Sequence, residues 1–194
     1  MVKKKYAVLD VFAGSGGLKE GFVVRNKNFG PFVSIEKDKM ACKTLSIRKI
    51  FHLIKNNKKF SKINYLDLIQ NKSSFDDIVN DSDNSELKEL VDLSIWNHEL
   101  GTDSAKKTFS EIRRRFKEQG WNENKKGNEL ILIGGPPCQA YSVAGRSRRS
   151  KMQKSGEYNP ELDERNFLYK RYLDLVVEFK PSIFIMENVP GMLS

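Results

Sequence analysis

A cysteine held directly behind two prolines is the residue in this chain best suited to covalent chemistry. In Gly134-Gly135-Pro136-Pro137-Cys138-Gln139-Ala140-Tyr141-Ser142 the prolines stiffen the backbone just before the thiol. The apolar run Leu130 to Ile133 reads as a strand, so Cys138 is expected at a strand end. A thiol placed there, near helix N-termini or cations, can be activated as a thiolate. Arg146, Arg148, Arg149, Lys151 and Lys154 follow with no acid between them, and such cations also suit phosphates. The plain alternative is a structural loop with an idle cysteine.

Two further segments could share a site with Cys138. Asp10-Val11-Phe12-Ala13-Gly14-Ser15-Gly16-Gly17 closes a first apolar strand with glycines that let backbone approach a ligand. Glu36 follows a second short strand, where a carboxylate can accept both hydroxyls of a ribose. Lys19 stands where a third glycine of a dinucleotide fingerprint would be, so a nucleoside without phosphates fits better than a pyrophosphate. Glu187-Asn188-Val189-Pro190-Gly191 follows the last strand, Ile183 to Met186. In a parallel sheet Glu187 falls on the same edge as Gly14, Glu36 and Cys138. A carboxylic acid beside a nucleophilic thiol suggests acid catalysis.

The elements that would position these residues alternate between short apolar strands and helices, which implies a parallel α/β sheet. Strands are expected at 6–12, 32–35, 130–133 and 183–186, with a further one at 63–66. Helices are expected from Leu18, over Lys37 to Lys55, and over Asn166 to Phe179, where Pro181 marks the stop. Residues 68–128 break this rhythm. Leu87, Leu90, Val91 and Ile95 suggest one helix there, and Ala105, Phe109, Ile112 and Phe116 another. This stretch is expected to be a helical insertion.

Composition narrows the class. The 194 residues carry a formal net charge of +9, with 39% hydrophobic and 30% charged residues. These are values of a soluble globular domain, and the basic balance suits a polyanionic partner. No apolar run reaches membrane-spanning length. The start lacks a signal-peptide pattern, so a cytoplasmic, bacterial setting is expected. Cys42, set in a helical pattern, is expected to be a small buried residue rather than a disulfide partner. His52 and His98 give no zinc spacing with the cysteines, and no metal is expected.

Taken in this order, the three segments resemble those of the cytosine-C5 DNA methyltransferases. Phe12, Ala13, Gly14, Ser15, Gly16 and Gly17 resemble the S-adenosylmethionine loop of that family, and Glu36, with Lys37 beside it, its ribose-binding acid. Asp67 in Tyr65-Leu66-Asp67-Leu68 resembles the acid near the adenine amine. Pro136-Pro137-Cys138-Gln139 resembles the nucleophile motif. Asp163-Glu164-Arg165-Asn166-Phe167-Leu168 resembles the segment before a helix that helps close the cofactor pocket. Glu187-Asn188-Val189 resembles the motif whose acid holds the target cytosine.

The resemblance implies a Rossmann-like methyltransferase fold that binds S-adenosyl-L-methionine, releases S-adenosyl-L-homocysteine and needs no metal. Cys138 and Glu187 would be catalytic. Pro136 and Leu168 would join the cofactor site. Gln139, Ser142, Arg146, Asn188 and Val189 would meet double-stranded DNA around a flipped cytosine. On the same reading, 1–194 is the N-terminal part of a catalytic domain, incomplete at its C-terminus. The target-recognition domain is absent, and the isolated chain is expected to be inactive unless missing parts, or a second chain, complete it. The rival readings are an RNA cytosine-C5 methyltransferase and an inactive remnant that binds cofactor or DNA.

Overall fold

The computed structural model describes residues 4–25, 28–60, 62–70, 75–80, 84–136 and 168–187. Among them, β1 (Lys5–Val11), β2 (Phe29–Glu36), β3 (Ile95–Asn97), β4 (Asn128–Gly134) and β5 (Ile183–Met186) form one sheet in the order β3-β2-β1-β4-β5. Every adjacent pair is parallel. The helices are α1 (Gly17–Arg25), α2 (Lys39–Asn56), α3 (Tyr65–Ile69), α4 (Phe75–Asn80), α5 (Ser85–Ser94), α6 (Ala105–Glu118) and α7 (Leu168–Phe179). The Rossmann-like α/β class expected from the sequence is the class observed.

Alternation along the strands sorts the core. From β1, Ala7, Leu9 and Val11 pack with Ile112 and Phe116 of α6, with Trp121, and with Tyr172 and Leu175 of α7. Val8 points to the other face, with Ile131 and Ile133 of β4, and meets Leu18 and Phe22 of α1. The hydroxyl of Tyr172 is within reach of two carbonyls, Leu132 O at 3.2 Å and Ile185 O at 2.9 Å, so α7 is fastened over the β4–β5 seam.

Two expectations need correction. The segment 63–66 is not a strand. The Asn64 side chain accepts the Leu66 N–H and starts α3, whose Leu68 is buried in a cluster with Cys42, Leu45 and Ile50 of α2. The third strand lies instead at Ile95–Asn97, pairing Ser34 with Ile95 and Glu36 with Asn97. Stretch 68–128 is therefore not a purely helical insertion: it contains β3, and α6 is the crossover that carries the chain from β3 to β4. Ile95 follows α5 without a loop, its N–H still bonded to Val91 O, so the apolar series Leu87, Val91, Ile95 runs across the junction as if one helix continued.

β1 and β4 pack tightly at Gly134. A Cβ on Gly134 would lie 2.3 Å from the carbonyl oxygen of Val11. Backbone cannot give as a flexible side chain can, so Gly134→Ala should destabilise the fold by about 1–3 kcal/mol, the usual range for overpacking. Urea denaturation measures this. A variant as stable as the parent would mean that β1 and β4 separate freely at this point.

Candidate active site

Because the strands are parallel, their carboxyl ends share one edge, and ligands of open α/β sheets bind at that edge. The order β3-β2-β1-β4-β5 reverses direction between β1 and β4, and the pocket found there draws on several strand ends. It is lined by Phe12 after β1, by Ile35, Glu36 and Lys37 at the end of β2, by His98, Glu99 and Leu100 after β3, by Gly135 after β4 and by Leu168 at the start of α7.

Glu36 is the best-anchored of these residues. Its backbone carbonyl accepts from His98 N–H at 2.9 Å, from Asn97 Nδ2 at 3.0 Å and from Cys42 Sγ at 3.3 Å. Its carboxylate accepts from Gly14 N–H at 2.8 Å and from Asp38 N–H at 2.8 Å. One side chain thus joins the glycine loop to the entrance of α2, which Asp38 caps through Ala41 N–H. Phe12, Gly14 and Gly16 all have positive φ, at 54°, 53° and 84°. A Cβ at Gly14 would meet nothing within 4 Å, so its bare backbone faces open space. Gly16 is needed for a second reason, since a Cβ there would fall 2.5 Å from Leu45 Cδ2.

The remaining predicted residues divide as follows. Phe12, Glu36, Lys37 and Leu168 line one pocket. Ala13 packs on the second core, Ser15 is exposed, and Gly17 begins α1. Pro136 is buried next to Gly135. Glu187 follows β5, its N–H donating to Gly134 O at 2.8 Å. A Cβ on Gly135 would stand 3.7 Å from Glu187 Cβ, so Glu187 neighbours the segment leading to Cys138. Cys138, Gln139, Ser142, Arg146, Asn188 and Val189 lie outside the described residues. Asp67 is not brought to the pocket; it sits in the first turn of α3.

Residues 98–100 occupy the strand-end position expected for Asp67, and sequence reasoning missed them because it missed β3. The His98 ring stacks on Trp96 with centroids 4.2 Å apart. Its Nε2 is buried without a hydrogen-bond partner among the described residues, 3.9 Å from Asp103 Oδ2. Burial holds its pKa below the ordinary value. Lys37 Nζ bridges to Glu99 Oε1 at 2.9 Å, tying the ends of β2 and β3. Cys42 is buried, as expected, and burial pushes its thiol up.

Comparison with known proteins agrees with this geometry. Residues 94–194 match the family model of C-5 cytosine-specific DNA methylases. Type II methyltransferase M.Bpa9945I of Bacillus paralicheniformis is 31% identical over 96% of the chain and 41% of its own length. Type II methyltransferase M.BspRI of Lysinibacillus sphaericus is 27% identical over 98% of the chain and 34% of its own length. Type II methyltransferase M.AgeI of Thalassovita gelatinovora is 40% identical over 35% of the chain and 13% of its own length. The chain belongs to the C-5 cytosine-specific DNA methylase family. It spans about two fifths of the first of these relatives.

Beneath the glycine loop two ionisable side chains are buried near each other. Asp10, opposite Ser34 in the β1–β2 register, is 1% exposed, and its Oδ2 has no hydrogen-bond partner among the described residues. Lys19 of α1 is 6% exposed and donates to Ser34 Oγ at 2.8 Å. Burial pushes the Asp10 carboxyl up to about 7, although Lys19 draws it down. The folded state therefore holds this proton more tightly than the unfolded chain, whose carboxyl titrates near 3.8. Within that window the folded state binds more protons, so this group's contribution to stability falls as pH rises. Urea midpoints of the parent should thus decline, relative to Asp10→Asn, between about pH 4 and 7. Parallel profiles for the two proteins would mean that Asp10 is ionised throughout.

Proposed function

We propose that this chain carries the cofactor-binding and nucleophile-bearing part of an enzyme that methylates C5 of cytosine in DNA. The observation that supports the reading most directly is Glu36, bonded to Gly14 on the strand-end edge where Glu187 also lies beside Gly135. The residues present fit S-adenosyl-L-methionine. The bare backbone at Gly14 permits close approach, and Glu36 offers two carboxylate oxygens to ribose hydroxyls. Ile35, Leu100 and Leu168 supply apolar walls, with His98 beside them. Bound there, the cofactor supplies an electrophilic methyl group for C5.

Cytosine C5 is a weak nucleophile, and the protein's part is to enrich it. The Cys138 thiolate adds to C6 and pushes electron density onto C5. Glu187 contacts N3 and the exocyclic amine, and protonation at N3 offsets the charge created by that attack. After C5 has been methylated, loss of its proton and breakage of the Cys138–C6 bond release 5-methylcytosine. An ordinary thiol is only a few per cent ionised at neutral pH, so the cations at 146–154 have a role in activating Cys138 as well as in holding phosphates. A base inside a duplex is out of reach, so the target cytosine is extruded, with Gln139, Ser142, Arg146, Asn188 and Val189 around it.

The complete gene product, given labelled cofactor and duplex DNA, tests the reading. Cys138→Ser should abolish transfer and leave cofactor binding nearly intact. Glu187→Gln should slow transfer by about 10²–10⁴-fold, the range for a lost acid–base group. Glu36→Ala should weaken cofactor binding by roughly ten- to a hundredfold, as expected for hydrogen bonds to a charged group. Normal turnover by Cys138→Ser would refute the nucleophile, and label on tRNA with none on DNA would refute the substrate.

A further inference from the structure

A second cavity, of about 710 Å³, opens between α1 and α2 on the face of the sheet that holds Lys19, and the site proposed above makes no use of it. Lys19, Arg48, Lys49, His52 and Lys55 reach its lining, with Glu20 as the single carboxylate. Glu20 is shared between two of these bases: His52 Nε2 lies 2.7 Å from its Oε1, and Arg48 Nη1 lies 3.5 Å from its Oε2, which accepts no hydrogen bond among the described residues. Lys19 is held by Ser34. Lys49, only partly exposed, has no hydrogen-bond or ion-pair partner among the described residues. Burial, with Lys19 as a second cause, lowers its pKa to about 8. Lys49 thus feels the charge of Lys19 in a recess whose basic side chains outnumber its one carboxylate. That arrangement is unfavourable while the recess holds only water, and an anion relieves it. Phe29 and Phe32 of β2 add apolar lining.

We propose that this cavity is a binding site for a small phosphorylated ligand, its phosphate held by Lys49, Arg48 and Lys55 and its flat or apolar part laid against Phe29 and Phe32. The recess between two helices favours a small molecule over the backbone of a duplex, which presents its phosphates along a broad convex surface. Affinity should fall with ionic strength, since the attraction is electrostatic.

The test is binding of ADP and of inorganic pyrophosphate to the full chain, by calorimetry and by thermal shift, at matched ionic strength against sodium chloride. A ligand that binds the folded state alone raises the melting temperature with concentration. Binding of either probe should weaken at least tenfold in Lys49→Gln, and less in the rim variant Lys55→Gln. It should persist in Glu36→Ala, which separates this site from the ribose-binding one. Lys49→Gln removes an unpaired, partly buried cation, so the ligand-free variant should melt no lower than the parent, and loss of binding would not reflect unfolding. If both probes fail to bind at millimolar concentration, or bind equally well to Lys49→Gln, the proposal is overturned. It is also overturned if only duplex DNA binds in a Lys49-dependent way, because the recess would then be a backbone grip.

Discussion

The β1–β4 contact is the constraint on which the rest of this molecule depends. At Gly134 the two strands come so close that no side chain fits between the Gly134 Cα and the Val11 carbonyl. That is also where the connections reverse, α1 and α2 leading the chain toward β3 and α6 returning it to the other side of β1. A reversal opens a crevice at the carboxyl ends, because the chain leaves the two strands in opposite directions. Residues at the ends of β1, β2, β3 and β4 line it together with Leu168 of α7.

Glu36 converts that crevice into a site. Its carbonyl is held by three donors from β3's end and α2, which leaves the carboxylate little freedom, and the carboxylate in turn holds Gly14 and Asp38. Positive φ at Phe12 and Gly14 lets the loop turn back toward it. Pre-organisation of this kind lowers the ordering cost a ligand must meet. Cys42, which has no reactive role here, contributes through a hydrogen bond to the same carbonyl.

Much of this was readable from residue types because it is local. Short apolar runs mark β1, β4 and β5, and the position of Glu36 after a short strand carries its role with it. What could not be read is decided by tertiary contact. Three residues suffice for β3 because Ser34 and Glu36 supply its partner, and the apolar spacing of α5 runs into it without a break. Having lost β3, a reader of the sequence looks for the third strand's acid in Tyr65-Leu66-Asp67, where local capping by Asn64 makes a helix instead. The same limit hid Asp10 and Lys19. Asp10 sits inside an apolar run and Lys19 in the first turn of an ordinary helix, and only the sheet brings them together.

That buried pair links the crevice to the α1 face of the sheet by position. Buried ionisable groups are weak evidence of a stabilising role. Their consequence here is positional. Lys19, in the first turn of α1, holds Ser34, two residues before Glu36, while Asp10 stands two residues before Phe12. The residues that shape the crevice are thus continuous, along β1 and β2, with residues whose charges meet on the α1 face. Lys49 adds its charge to that same face, without a partner among the described residues. The glycine loop and Glu36 stand only two residues further along the same two strands.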